Sequence, residues 1–504
     1  MQEDTPPAEA PAGDSGGADP LTREAIKAKV VSGAGLIAAR GVLLLTIAAI
    51  ANAVIARELS PHAFGIVAFG MTVMAFAAVF SDGGLGAALI RSSVPAEHAL
   101  LREIFGLQLA VSTVLFGCIC AVAVPFFGTP GAVTALMALA LPLGALDTPA
   151  KIMLERRLEY RILARAEVLQ AVVYYVWAVT AVSLGAGVWG LATAAVVRVL
   201  SIAVILYRAT PDLFVWPAFS LGRVRPLLRF GVGFQANNVV NVLRDEGLNL
   251  GIAAIAGIAP LGIWTLARRL MELPTLLFQT LWRVSFPGTS QLLAAGGDPR
   301  RLIIRAARLT AVASAFVLGI LAAAAPGLVG TVFGARWAEV GTLVAISCAP
   351  LVYAGPISVA TAGYLYAVGD ASSVLAATVV HTVAWLAVSF ALLPFLGIVA
   401  VPIGWVVGSA ADAVLLGAAA RRRAGVSAFA AVGVPSTAGL AAGGVGLAVD
   451  VALGRTFAGG VVGGVVSAAL CTSLLLVLRR SALKELVEIF RDRSRGRRVA
   501  AAAR

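Results

Sequence analysis

Between Phe230 and Pro287, two apolar runs joined by a short Gly/Pro turn carry more polar chemistry than hydrocarbon tolerates cheaply. The first run holds Asn237, Asn238, Asn241, Arg244, Asp245, Glu246 and Asn249, and the second holds Arg268, Arg269 and Glu272. A charge at the centre of a bilayer costs roughly 2.5–3.5 kcal/mol on insertion scales, so such side chains face a protein interior or a watery cavity. On a helix, Asn238, Asn241, Asp245 and Asn249 step by three, four and four and share a face, with Asn237 and Arg244 beside it. Amides and guanidinium groups suit hydroxyls and phosphate oxygens, and arginine engages such oxygens bidentately. This predicts a cavity wall made of Asn237, Asn238, Asn241, Arg244, Asn249, Arg268 and Arg269, with Arg40 of the first apolar run as a counterpart. Asp245 and Glu272 are the candidates for a coupled proton or cation. The competing expectation is that these charges neutralise one another as a structural network between the two runs.

The elements that must position these residues follow from composition. A chain of 504 residues that is 60% apolar and 13% charged lies far from soluble domains, which average about 25% charged residues. The apolar residues come in runs of about twenty, the length that crosses a hydrocarbon core of roughly 30 Å. The fold class is therefore all-α, a polytopic membrane protein. The net charge of +13 is spread between apolar runs rather than gathered on one domain, which fits a topology signal better than a nucleic-acid partner, and none is expected. Four lysines, none after a glycine, exclude a phosphate-binding Walker loop. His62, His98 and His381 are scattered, and the cysteines lie in apolar runs, so neither a metal nor a cofactor is expected. No catalytic constellation is present, and no loop is large enough to carry one.

Fourteen spans are expected, near 33–55, 62–81, 104–124, 131–149, 164–185, 188–207, 231–256, 260–282, 306–325, 339–361, 372–393, 397–419, 429–449 and 457–478. With both termini inside, inner segments hold 31 of the 39 Lys and Arg residues, and outer loops keep only Arg57, Arg336 and Arg455. One miscounted span would invert the later loops and erase that contrast. The longest outer loop is expected at Pro326–Glu339, and His381 and Asp412 are lone titratable groups within spans. Weak repetition divides the chain. Pro61-x-x-Phe64-Gly65 resembles Pro260-Leu261-Gly262, and Gly187-Val-Trp-Gly190 resembles Gly397-Ile-Val-Ala400, about 200 residues apart. The expected organisation is a disordered tail (1–22), a six-helix lobe (23–207), a linker (208–229), a second six-helix lobe (230–420), two additional helices (421–478) and a basic tail (479–504).

Glu58–Arg91 contains an L-S-P-x-x-F-G approach to the second span and an exit running from Asp82 to Arg91 (DGGLGAALIR). Ala256–Leu292 contains Gly257–Ala267 (GIAPLGIWTLA) followed by L-P and F-P. In this order the passages resemble the polysaccharide-transporter, or oligosaccharide flippase, family of the multidrug/oligosaccharidyl-lipid/polysaccharide superfamily, over about residues 30–420. Trp264 replaces the commoner Tyr, and Asp370 stands where that family often has a basic residue. The resemblance implies alternating access between two lobes in a bacterial inner membrane, with both termini cytoplasmic. The implied cargo is an undecaprenyl-diphosphate-linked oligosaccharide destined for lipopolysaccharide O-antigen, capsule or exopolysaccharide. Membrane lipids and polysaccharide-assembly proteins such as a polymerase are the implied partners. The arginines above would then meet the diphosphate and the asparagines the sugars. A cation-coupled multidrug exporter and a peptidoglycan lipid-precursor flippase are the sister readings, and a membrane polymerase or ligase is a reading from another class.

Overall fold

The computed structural model describes residues 41–478 apart from 42, 83, 85–88, 90–97, 158, 221 and 223, and leaves aside the side chains of 82, 225–238, 273, 277, 280, 283–288 and 294. Among the described residues the chain is helical throughout and contains no strand, as a membrane-spanning chain requires when it must satisfy its backbone internally. The helices are α1 (43–58), α2 (Pro61–Asp82), α3 (His98–Ala138), α4 (Ala140–Gly144), α5 (Thr148–Arg156), α6 (Tyr160–Ala181), α7 (Gly187–Ala209), α8 (Arg225–Ile255), α9 (Ile258–Ala294), α10 (Arg300–Phe333), α11 (Ala338–Ala367), α12 (Ala371–Leu396), α13 (Ala400–Ala424), α14 (Ala428–Ala452) and α15 (Phe457–Leu478).

Eight helical stretches among the described residues are long and apolar enough to cross a membrane. Three of them, of 59, 50 and 54 residues, far exceed the ~20 residues one crossing needs, and each doubles back at a glycine. Gly128, at φ 53°, breaks α3, and beyond it Gly131 lies against the Ala123 carbonyl and Phe127. The Trp177 indole N–H donates to Thr193 Oγ1 at 3.1 Å and ties α6 to α7 across the second reversal. The Trp385 indole does the same for α12 and α13 through the Val401 carbonyl, also at 3.1 Å. α8 and α9, which carry the polar cluster, fall outside the apolar spans, and so does α1. Composition alone therefore does not establish the count of fourteen.

One expectation needs adjustment. Pro326–Glu339 is not an open loop, because α10 continues through Pro326 to Phe333 and a 3-10 turn covers Ala335–Trp337. The segment after α7 is bonded to α3. The Ala218 N–H donates to the Arg102 carbonyl at 2.8 Å, the Arg102 guanidinium donates to the Trp216 carbonyl, and Ser220 donates to Glu103. These bonds pin the segment along the start of α3.

The largest apolar core joins both halves of the chain, running from Ile55, Phe64 and Leu191 to Leu248, Trp264, Trp337 and Trp385. The end of α1 is bonded to the end of α10 and to the turn that follows it. The Arg57 guanidinium donates to the Val332 and Thr331 carbonyls at 2.8 and 3.2 Å, Arg336 donates to the Arg57 carbonyl, and the Trp337 indole donates to the Ala56 carbonyl at 2.7 Å. Phe64 meets Trp337 edge to face, with centroids 5.3 Å apart. Here α2 and α9 touch through glycines: Gly65 faces the Ile258 carbonyl, and Gly262 faces the Pro61 carbonyl. No side chain fits at either place. α14 and α15 dock on α10 and on each other through small residues, with Gly443 on Gly319, Gly460 on Ala324 and Gly446 on Gly463.

Candidate functional site

α8 is one unbroken helix with a proline in its first turn, where a missing N–H costs nothing. Its polar residues do not form a single wall. Arg244 closes a two-point fork on its neighbour Asp245, at 2.7 and 3.2 Å, and lies within electrostatic reach of His381 on α12. One residue further on, the chemistry turns towards α2. Glu246 Oε2 accepts from the Thr72 hydroxyl and from the Asn249 amide, both at 2.7 Å, and Arg268 of α9 reaches Glu246 Oε1 at 4.0 Å. Thr72 and Asn249 are buried, at 1% and 4% exposure. A carboxylate bonded by an α2 hydroxyl, an α8 amide and an α9 guanidinium therefore fastens three helices together.

Arg269 makes a second link. Its guanidinium donates to Asn52 Oδ1 of α1 at 2.6 Å and lies 5.3 Å from the centroid of the Phe64 ring on α2, within cation–π range. Beneath Arg269 opens a polar space. A cavity of about 420 Å³ is lined by Arg269, Arg198, Lys151, Glu167, Gln170 and Tyr175. It shares Met71, Lys151, Tyr174 and Arg198 with a larger cavity of about 860 Å³, which Met74, Gln108, Asp147 and Glu155 also line. Lys151 is held to the buried Asp147 at 2.8 Å, with Arg198 within Coulombic reach of the same carboxylate. Three cations and several amide or hydroxyl groups thus surround a space large enough for a small glycan, the chemistry of anion and sugar binding.

α2 separates this polar space from an apolar one. Met71 faces the polar cavity, and Met74, Ala75 and Ala78 with it face the larger one, whose lining is mainly apolar away from Gln108, Asp147, Lys151, Glu155 and Arg198. The opposite face of the helix presents Phe69, Val73, Phe76 and Phe80 to a groove of about 790 Å³, completed by Leu115, Ile119 and Val122 of α3 and Leu250 and Ala253 of α8.

Of the residues singled out from sequence, Arg269 lines the polar cavity, Arg268 and Asn249 join the Glu246 link, and Arg244 pairs with Asp245. Asn241 and Glu272 are exposed. Arg40 and the side chains of Asn237 and Asn238 lie outside the described residues. The structure adds Lys151, Arg198, Glu167, Gln170 and Tyr174. A signal for them existed, since Arg198 is an arginine within a span and Glu167, Gln170 and Tyr174 recur at helical spacing. Among the described residues no His, Cys, Asp and Glu cluster is arranged for a metal.

Comparison with known proteins adds a lineage. A family described as "Polysaccharide biosynthesis protein" matches residues 54–342. The succinoglycan biosynthesis transport protein ExoT of Rhizobium meliloti (strain 1021) is 28% identical over 295 residues, which cover 56% of this chain and 58% of that protein. The lipopolysaccharide biosynthesis protein WzxC of Escherichia coli (strain K12) is 22% identical over 340 residues, 64% of this chain and 67% of the relative. The chain thus spans about three fifths of the first relative's length. Among solved structures, the lipid II flippase MurJ in an inward closed conformation superposes with a TM-score of 0.66 at 9% identity, over 88% of this chain and 98% of that one. An inward-facing multidrug resistance MATE transporter of the MOP superfamily superposes at 0.56 with 17% identity, over 76% of this chain and 94% of that one. At these identities the structural likenesses establish the fold alone, a multi-pass helical membrane bundle.

Proposed function

The chain belongs to the polysaccharide biosynthesis protein family, and from that premise we propose that it moves lipid-linked oligosaccharides across a bacterial inner membrane for surface polysaccharide assembly, without acting as an enzyme. The observation that carries this reading is the division made by α2. A small polar cavity with Lys151, Arg198 and Arg269, open to a larger and mainly apolar one, lies on one face, and an apolar groove with Phe69, Val73 and Phe76 lies on the other. That pairing suits an amphipathic cargo, with a diphosphate held by the cations, sugars held by Gln170, Tyr174 and Tyr175, and an isoprenoid chain lying in the groove. The relatives named for succinoglycan transport and lipopolysaccharide biosynthesis support the same cargo class.

Alternating access supplies the mechanism. In this structure the end carrying Arg57, Arg336 and Trp337 is sealed. Positive-inside counting puts that end outside, with both termini cytoplasmic, so the cavity would load from the cytoplasm. Arg40 and Arg244 are assigned to the diphosphate and Asn237, Asn238 and Asn241 to the sugar path. Polysaccharide-assembly proteins such as a polymerase would take up the delivered units.

The test is leaflet-resolved. Proteoliposomes holding the full-length protein and a fluorescent undecaprenyl-diphosphate oligosaccharide are treated with an impermeant glycan-modifying reagent. Protein-dependent loss of the protected inner pool is the expected result, slowed at least tenfold in Arg198→Ala. A protected pool that is the same with and without protein overturns the proposal.

A further inference from the structure

The segment between α7 and α8 turns its side chains the wrong way for a loop in water. Leu213 is buried in the small core shared by α5, α6 and α7, and Val215 in the core at the start of α3. The large aromatic residues among them point outward instead, with Phe214 49%, Trp216 71% and Phe219 73% exposed. A water-facing segment does the reverse, because large rings gain most from leaving solvent. The outward row is also held in place. Tyr207 donates its hydroxyl to the Leu146 carbonyl at 2.5 Å, Phe214 meets Tyr207 edge to face at 5.2 Å, and Trp216 meets Phe214 in the same way at 5.5 Å. Arg102 fixes the backbone at Trp216, and Glu103 holds Ser220.

Cations flank the rings. Arg102 of α3, Arg157 just after α5, Arg161 in the first turn of α6 and Arg208 in the last turn of α7 are all exposed. The only acid of residues 211–220 is Asp212, which lies 3.6 Å from Arg157. The position of this patch along the bundle follows from α2 and α3. α2 leaves the Trp337 seal at Phe64, and Phe69 soon after meets Phe127, far along α3, at 5.4 Å. α3 therefore begins at the opposite end, and the segment bonded to its first turns lies there too. We propose that residues 211–220 form an interfacial strap that docks on anionic phospholipid headgroups. Phe214, Trp216 and Phe219 enter the boundary between headgroups and acyl chains, and Arg157, Arg161 and Arg208 meet the phosphates. The bilayer lies at this depth and matches the rings and the arginines together. Positive-inside counting puts the strap on the cytoplasmic leaflet. Because it is bonded to α3 and leads into α8, the headgroups hold the place where the first half of the chain passes to the second. The inference rests on the membrane-spanning fold and is independent of the cargo.

The test uses the full-length protein in phosphatidylcholine nanodiscs without cargo. A fixed share of the lipid is replaced by phosphatidylglycerol or phosphatidylcholine brominated on its acyl chains, which quenches nearby tryptophans. The part due to Trp216, one of eight tryptophans, is the difference between wild type and Trp216→Phe, which keeps an aromatic ring and is expected to fold. Trp216 should be quenched by both lipids, and by the glycerol headgroup more strongly by about twofold or more. That preference should vanish in about 0.5 M NaCl and in the double variant Arg157→Gln/Arg208→Gln. The Arg157–Asp212 pair is largely exposed and contributes little to stability, so the double variant is expected to fold, which gel filtration verifies. Equal quenching by the two headgroups, or a preference that the double variant retains, overturns the proposal. So does a Trp216 that neither lipid quenches, which would place the strap in water or under another part of the chain.

Discussion

At the scale of single residues, two arginines make opposite predictions. Arg269 donates to Asn52 at 2.6 Å and lies against Phe64, and a hydrogen bond to a charged group contributes about 1.5–3 kcal/mol. Arg269→Ala should therefore lower both stability and transport, and Arg269→Lys should restore stability only in part, because an ammonium does not reproduce the planar guanidinium that bonds Asn52 and lies on Phe64. Arg198 lines the cavity, so Arg198→Ala should cut transport while changing stability by less than about 0.5 kcal/mol. Thermal unfolding beside the vesicle assay separates the two, and matching losses in both variants would refute the distinction. Asp370 gives a pH prediction. The Ser373 contacts at the start of α12, and then Arg423 at 3.0 Å, hold its carboxyl below the ordinary value of 3.8. A depressed carboxylate stabilises fully above that ordinary value and loses its contribution as pH falls through the folded one. Wild type should exceed Asp370→Asn in Tm by a constant margin at neutral pH, and the margin should close below about pH 3.8. The polar residues of α8 and α9 were legible from sequence because a charge in an apolar run is conspicuous. Their partners were not, since Thr72 and Asn52 are unremarkable in their own spans and lie more than 170 positions from Glu246 and Arg269.

At the scale of elements, the reversals at Gly128, Gly185, Gly187 and Gly397 are the points where hydropathy divides one long apolar stretch into two. The sequence could be cut there because a left-handed glycine is cheap where any other residue is strained. The boundary at Pro326 was misread for the converse reason. A proline normally ends a helix in water, but inside a bundle the neighbours make up for the lost bond, and α10 runs on to Phe333. Periodicity cannot report that Arg102 and Glu103 hold residues 216–220, because this depends on where two distant segments come to rest. The α2–α9 contact yields a direct test. With a carbonyl against each glycine, Gly65→Leu or Gly262→Leu must push the helices apart, and such overpacking costs about 1–3 kcal/mol. Both variants should show faster labelling of a cysteine placed at Ala56, beneath Trp337, by an impermeant thiol reagent from outside. Unchanged labelling would show that this contact does not close that end.

At the scale of the whole molecule, topology is the remaining prediction. Thirty-one of 39 cationic residues fall in segments assigned to the inner side, so a reporter that folds only in the cytoplasm should be active when fused after Arg504 and silent when inserted beside Arg455. The reverse pattern would invert the assignment of every loop. The division into two lobes followed from two short motifs repeated about 200 residues apart, and the structure brings one of those pairs face to face. Gly65 meets Ile258 while Gly262 meets Pro61, and each member of one contact lies 197 positions from its counterpart in the other. Such reciprocity is the signature of a two-fold axis, the geometry by which identical subunits form a self-matching dimer, here enclosed within one chain. The two halves are therefore each other's template at this point. Neither glycine can grow without clashing with the other half's copy of its own motif, and a change at one relieves nothing at the other.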